Sequence, residues 1–260
     1  MAQSLFDLTG KVAVITGGNR GIGLGIAGGL ASAGADICIW GRDETHNFAA
    51  VETLMKHGTR VSSFTCDVSD ELQVVSGMNY TLDKFGRVDG CFANAGVIGH
   101  SKSFFDISSN DWHQVLGVNL DGAFFTLKAA AAHMKGRAET GDPGGRLIVT
   151  SSLASISGAA RNQHYAATKG GVTAMVKALS VELARYGITA NSILPGWIET
   201  DMTKALMKDQ KFVNQVMPRI PVRRWGQPTD FIGIAVYLMS SASAYHTGDE
   251  FLIDGGYFLF

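Results

Sequence analysis

Tyr165 and Lys169 stand four residues apart in the stretch HYAATKGG, residues 164–171. On a helix that spacing puts both side chains on one face. An ammonium group beside a phenol favours the phenolate, which is what a general acid working near neutral pH requires. Ser152 lies thirteen residues earlier, just past the apolar run RLIVTS (146–151), and offers a hydroxyl to an oxygen that gains charge. The chemistry these residues suit is proton delivery to a carbonyl oxygen while its carbon accepts a hydride. A nicotinamide nucleotide would supply that hydride, so no metal is required. Ser151 and Ser152 with His164 raise the alternative of a hydrolytic triad, but no GxSxG elbow surrounds either serine.

A second chemistry-bearing stretch is TGGNRGIG, residues 16–23, which follows the strand-like run KVAVIT (11–16) and opens a helical pattern. Gly17, Gly21 and Gly23 let the backbone turn and approach a pyrophosphate, and the helix start offers free N–H groups. A scan for GxGxxG instead finds Gly23, Gly25 and Gly28, about one turn inside the helix; those glycines read as close helix–strand packing. The second strand ends IWGRDE. Gly41 stands where an acid would bind a ribose 2′-hydroxyl, and Arg42 follows. With Arg20 in the glycine loop, two guanidiniums are available for a 2′-phosphate. The expected cofactor is therefore NADP(H), with NAD(H) as the alternative.

These groups need elements to position them. The runs 11–16, 36–40, 60–65, 88–93, 146–151, 188–194 and 250–254 read as strands, several of them continuously apolar, as in a parallel sheet covered on both faces. Helical patterns fall near 22–33, 43–57, 70–85, 111–134, 163–185, 199–214 and 229–240. The alternation predicts right-handed βαβ units in a doubly wound α/β sheet of seven parallel strands with helices on both faces. Residues 135–145, KGRAETGDPGG, read as a surface loop, and 195–228 as a lid over the site. Trp197, Met202, Leu206, Met207 and Phe212 could line that lid, and His100 could face substrate.

The chain has 260 residues, a net charge of −1 and no basic block, so nucleic acid is not an expected partner. No run approaches ~18 uncharged apolar residues, and the N-terminus lacks a secretory apolar core, so no membrane association is expected. Cys38, Cys66 and Cys91 form no CxxC pair and lie in apolar runs. They read as buried, reduced thiols of a cytoplasmic protein, not as metal ligands or disulfides. Charged residues make up 17%, below the usual share, which together with the apolar terminus GGYFLF suggests surface hidden between subunits.

TGxxxGIG, a CDV triplet (66–68), NAG (94–96), a serine thirteen residues before YxxxK, and the PG turn at 195–196 occur in one order along the chain. In this the sequence resembles the short-chain dehydrogenase/reductase family over essentially its whole length. The resemblance implies a single Rossmann domain spanning 1–260, with Tyr165 as general acid/base. Lys169 would lower the pKa of Tyr165 and hold the nicotinamide ribose. Ser152 would bind the substrate oxygen, and Asn119 would kink its helix and hold a water leading to Lys169. It further implies cofactor contacts at Gly17, Asn19, Arg20, Gly21, Ile22, Gly23 and Arg42, at Asp67 and Val68 beside the adenine, at Asn94, Ala95 and Gly96, and at Pro195, Gly196, Ile198 and Thr200. Enoyl reductases of the same fold usually space Tyr and Lys by seven, so four favours carbonyl/alcohol chemistry. Members commonly form homotetramers, with a dimer as runner-up here. Within the family reading the alternatives are an NAD-dependent sugar/polyol dehydrogenase or a 3-oxoacyl-thioester reductase; a small uncharged ketone is the preferred substrate. Outside it stands a non-catalytic nucleotide sensor, disfavoured because Asn119, Ser152, Tyr165 and Lys169 are all present.

Overall fold

A computed structural model describes residues 5–99 and 101–260. Seven strands form one parallel sheet: β1 Val12–Thr16, β2 Asp36–Gly41, β3 Val61–Thr65, β4 Gly90–Ala93, β5 Gly145–Thr150, β6 Ile188–Pro195 and β7 Glu250–Ile253. Their order is β3-β2-β1-β4-β5-β6-β7. The chain therefore winds outward twice from β1 and β4, and a crevice opens where the order reverses. Register pairs Ile15 of β1 with Ile39 of β2 on one side and Phe92 of β4 on the other.

The helices are α1 Gly21–Ser32, α2 Glu44–Leu54, α3 Glu71–Phe85, α4 Ser109–Leu116, α5 Gly122–Glu139, α6 Ala154–Ser157, α7 Gln163–Leu183, α8 Lys204–Met207, α9 Gln210–Val216 and α10 Ile232–Met239. Alternation along buried strands splits the core in two. Val14, Cys38, Trp40 and Cys91 face Met78 of α3, Leu127 of α5 and Val176 of α7. Ala13, Ile15, Ile37 and Ile39 face Ile26 and Leu30 of α1, Leu54 of α2 and Leu238 of α10.

The predicted strands are present, each within one or two residues of the expected limits at most ends. Three helical expectations change. The pattern at 111–134 begins at Ser109, where Ser108 and Asp111 form a capping box, and is broken by a π-helical segment, Gly117–Asp121. Residues 135–139 are helical and not loop: Lys135 pairs with Glu139 at 3.5 Å, and Arg137 is anchored to Asp89 and to the Val88 carbonyl. One exposed glycine, Gly136, does not outweigh those anchors. The span 199–214 holds two short helices, because the Asp209 side chain accepts from the Lys211 N–H and starts a new one. The stretch Ser109–Glu139 is long and apolar enough on average to cross a membrane, yet Ala123, Leu127, Ala130 and Met134 of α5 are buried against the sheet.

Candidate active site

The glycine loop is a cradle defined by what cannot fit in it. Gly17 and Gly21 have φ of 62° and 53°, the left-handed region that glycine tolerates. At Gly23 a Cβ would lie 2.2 Å from the Gly17 carbonyl oxygen and 2.5 Å from Asn94 Nδ2. The helix that follows, α1, has no side-chain cap and no acid in its first turn, whereas α2, α3 and α9 are capped by Asp43, Asp70 and Asp209. Its free N–H groups and positive dipole end suit a phosphate. Thr16 staples this loop to the end of β4: its Oγ1 accepts from the N–H groups of Asn94 and Ala95, both at 3.0 Å. Asn94 Nδ2 returns hydrogen bonds to the carbonyls of Thr16 and Gly17. Gly17, Gly23, Asn94 and Ala95 thus form one rim. Thr200 closes over it, its Cγ2 3.3 Å from where a Cβ of Gly21 would stand.

Within the inner GxGxxG match, Gly25 is packing, but against the C-terminal elements and not a strand: a Cβ there would meet the Pro228 carbonyl oxygen at 2.5 Å. Gly28 has only ordinary contact, with Leu54 and His57 at 3.9 Å; the neighbouring Gly29, outside the match, is the second close seat, where a Cβ would meet Ile232 of α10 at 2.7 Å.

At the other end of the crevice, Arg42 lies 3.7 Å from Asp67. Asp67 also accepts from Ser69, and Arg20 is exposed at the start of α1. The Val68 side chain is turned into the core against Gly122, so only its backbone can border a nucleotide. Ile22 is half-buried against the core below α1. Pro195 and Gly196 are fixed by backbone bonds to Leu153 and Ile253, and Ile198, 4% exposed, bridges to Gly226.

The candidate acid/base residues converge where β4, the π segment, β5 and α7 meet. Lys169 is buried, and its Nζ donates to the Thr150 carbonyl at 2.7 Å while standing 5.5 Å from the centre of the Tyr165 ring. Burial lowers its pKa to about 8, through the lost hydration of the ammonium. A Cβ on Gly96 would lie 3.3 Å from Asn119 Oδ1 and 3.5 Å from Lys169 Nζ, so the NAG segment abuts both. Asn119 is held by backbone: its Oδ1 accepts from Val97 N–H at 2.8 Å and its Nδ2 donates to the Val97 carbonyl at 2.9 Å. The expected kink at Asn119 is the π segment itself.

The Tyr165 phenol departs from expectation. Its pKa is raised, not lowered: burial dominates, and a hydrogen bond with the Ser152 hydroxyl offsets part of it. Ser152 Oγ in turn accepts from the Ala154 N–H at 3.1 Å. A hydrolytic triad does not form among the described residues. The Ser151 hydroxyl is engaged by the Lys169 carbonyl and Thr173, and neither ring nitrogen of the buried His164 has a partner. His100 lies outside the described residues.

Asn47 is the site residue that sequence reasoning missed. It sits buried in α2 and bonds both Asn19 and the Gly41 carbonyl. An asparagine one turn inside a helix that follows a glycine-ended strand was the available signal. Within residues 195–228, Trp197 packs edge-on to Phe212, with ring centres 4.9 Å apart, and Phe212 stacks on Trp225 at 6.1 Å. Met202 and Leu206 remain partly open to solvent.

Residues 17–258 match the family model described as Enoyl-(Acyl carrier protein) reductase. The chain is 36% identical, over 99% of both chains, to 2-dehydro-3-deoxy-D-gluconate 5-dehydrogenase of Escherichia coli K12. It is also 36% identical, over 98% of both, to sorbose reductase sou1 of Schizosaccharomyces pombe. The crystal structure of a gluconate 5-dehydrogenase from Burkholderia cenocepacia in complex with NADP and tartrate superposes with a TM-score of 0.91, at 35% identity and 98% coverage of each chain. The seven-stranded sheet, the glycine cradle at its crevice and this set of relatives agree: the chain belongs to the short-chain dehydrogenase/reductase family and, like the dehydrogenases and reductase named here, is an oxidoreductase acting between CH–OH and C=O.

Proposed function

We propose that this chain is an NADP(H)-preferring oxidoreductase that interconverts a secondary alcohol and a ketone on a polyhydroxylated, sugar-acid-like substrate, with Tyr165 as general acid/base. The observation that carries it is the pairing of buried Lys169 with Tyr165 on one face of α7, beside Gly96 at the end of the glycine cradle. The cradle would take a pyrophosphate, and exposed Arg20 and Arg42 would meet a 2′-phosphate. When bound, the nicotinamide supplies or takes the hydride. In the reducing direction the Tyr165 hydroxyl gives its proton to the carbonyl oxygen, and the Ser152 hydroxyl donates a hydrogen bond to that oxygen. Lys169, held by the Thr150 carbonyl, offers its charge to the phenolate left behind. With its pKa lowered to about 8, that charge is still present at neutral pH and is lost on the alkaline side of about 8. Asn119 and its π segment hold the wall of the site through Val97. Four-residue Tyr–Lys spacing separates this reading from enoyl reduction, the activity in the family model's description.

Two considerations support the substrate class. The relatives reported above act on sugars and sugar acids by name. Asn162 Oδ1 and Gln163 Oε1, directly before the catalytic helix turn, are buried without partners, as acceptors awaiting substrate hydroxyls would be. Of the arginines that could meet a carboxylate, Arg224 is taken by Asp230 and Arg223 by the Pro218 carbonyl. Arg161, exposed with φ of 68° on the loop before α7, is free among the described residues to meet it. Residues 195–228 form the lid. The working form is a homotetramer, with a dimer as runner-up, supported by exposed Leu259, Phe260 and Val181. Its place is the cytoplasm, consistent with three buried free thiols.

The test is nicotinamide absorbance decay with NADPH and NADH in parallel, over keto-sugar acids, ketoses, small uncharged ketones and 3-oxoacyl thioesters. Keto-sugar acids turned over fastest, with NADPH, are the expected outcome. A 3-oxoacyl thioester or a simple ketone turned over faster would overturn the substrate assignment.

A further inference from the structure

Position 41 ends β2, where an acid that grips a ribose 2′-hydroxyl stands in NAD-binding folds of this kind. Gly41 is buried, and its backbone is outside the left-handed region, so glycine is not needed there for conformation. It is needed for space. A Cβ would lie 2.5 Å from Asn19 Nδ2 and 2.5 Å from Asn47 Oδ1, and those two atoms are hydrogen-bonded to each other at 2.8 Å. Asn47 is 2% exposed, and its Nδ2 donates to the Gly41 carbonyl at 2.9 Å. The amide pair therefore fills the volume an acidic side chain would occupy. Its other bonds fix the peptide leading into Arg42 and, through Asn19, the loop carrying Arg20. Unpairing a buried amide leaves its partners unsatisfied, so neither side chain yields the space cheaply.

We propose that the Asn19–Asn47 amide pair sets the cofactor class: it excludes a carboxylate from position 41 and positions Arg20 and Arg42 toward a 2′-phosphate. Asn47 is thus a positioning residue for specificity that never touches the nucleotide. The proposal rests on the NADP(H) preference argued above. It also means that changing Gly41 to an acid does not by itself convert the protein to NAD(H).

The experiment is equilibrium binding of NADPH and NADH to the full chain, read by nicotinamide fluorescence, for wild type, Asn47→Ala, Asn47→Ser, Gly41→Asp and Gly41→Asp/Asn47→Ala. Far-UV circular dichroism and melting select the folded variants, and Asn47→Ser is the milder replacement should alanine fail to fold. For Asn47→Ala or Asn47→Ser, we expect the NADPH-over-NADH preference to fall about tenfold with NADH affinity within about twofold of wild type. Gly41→Asp alone is expected to weaken both cofactors, and the double variant to bind NADH about tenfold more tightly than Gly41→Asp. An unchanged preference on replacing Asn47, or a Gly41→Asp protein that gains NADH over wild type, would overturn the proposal. Wild type binding NADH as tightly as NADPH would instead overturn the cofactor preference beneath it, and the amide pair's role with it.

Discussion

Lys169 combines two demands that conflict in a protein interior: it must carry charge and it must be buried. Its pKa falls from 10.5 to about 8 through desolvation, so the protonated form is held at a cost of ~3 kcal/mol relative to water. Between about pH 8 and 10.5 the unfolded chain keeps this proton while the folded one has released it, so Lys169 makes stability rise with pH in that window. Lys169→Met removes the effect. Urea unfolding should show wild type gaining stability relative to Lys169→Met from about pH 7 to 10, while turnover of the variant falls about 10²–10⁴-fold. The sequence made Tyr165 and Lys169 legible because helical spacing places them on one face, and Ser152 legible because it follows the apolar run that becomes β5. It did not reveal the direction of the phenol's shift. That depends on how deeply the ring is enclosed, which no spacing encodes, and burial outweighs the hydrogen bond from Ser152.

At the scale of elements, the site depends on two irregularities. The π segment lets Asn119 turn into the fold and bond both polar groups of Val97. Asn119→Leu keeps the volume but strands that N–H and C=O, and the unfolding free energy should drop by about 2–4 kcal/mol in urea titrations. The close seat of α1 on the C-terminal elements is the second. Gly25→Ala would push a Cβ against the Pro228 backbone oxygen, which cannot move aside as a side-chain end can. A loss of about 1–3 kcal/mol is expected, with weaker cofactor binding because the uncapped end of α1 shifts. Most strands were readable because strands buried on both faces of a parallel sheet are nearly continuous apolar runs, as in β1 and β2. The π segment was not, since GVNLD fits an ordinary helix pattern. Nor were residues 135–139, where long-range anchors at Asp89 and Val88 decide for helix over the loop that Gly and charges suggest.

For the whole molecule, alkaline stability reports on the core. Cys38 is pushed up to about 11 and Cys66 and Cys91 to about 12, in each case chiefly by burial. Above about pH 9 the unfolded thiols ionise while the folded ones keep their protons. Stability must therefore fall, by at most about 1.4 kcal/mol per pH unit for each thiol. Three thiols oppose the single contribution of Lys169, so the net trend above pH 9 is downward. Replacing all three cysteines with alanine should flatten it in urea unfolding at about pH 8, 9 and 10. An equally steep fall in that variant would assign alkaline unfolding to other groups. The sheet order and the crevice it creates follow from strand–helix alternation and were expected. The unpartnered side-chain oxygens of Asn162 and Gln163 were not, because loop side chains take their direction from the turn and not from a period.

The central claim is that Tyr165 passes the proton while the rest of the site binds. It is tested most directly by Tyr165→Phe, with NADPH binding and ketone reduction measured on the same preparation. The account predicts NADPH affinity within about twofold of wild type and turnover lower by about 10²–10⁴-fold. Turnover within about tenfold of wild type, with the cofactor still bound, would contradict it and move the acid/base role to another residue.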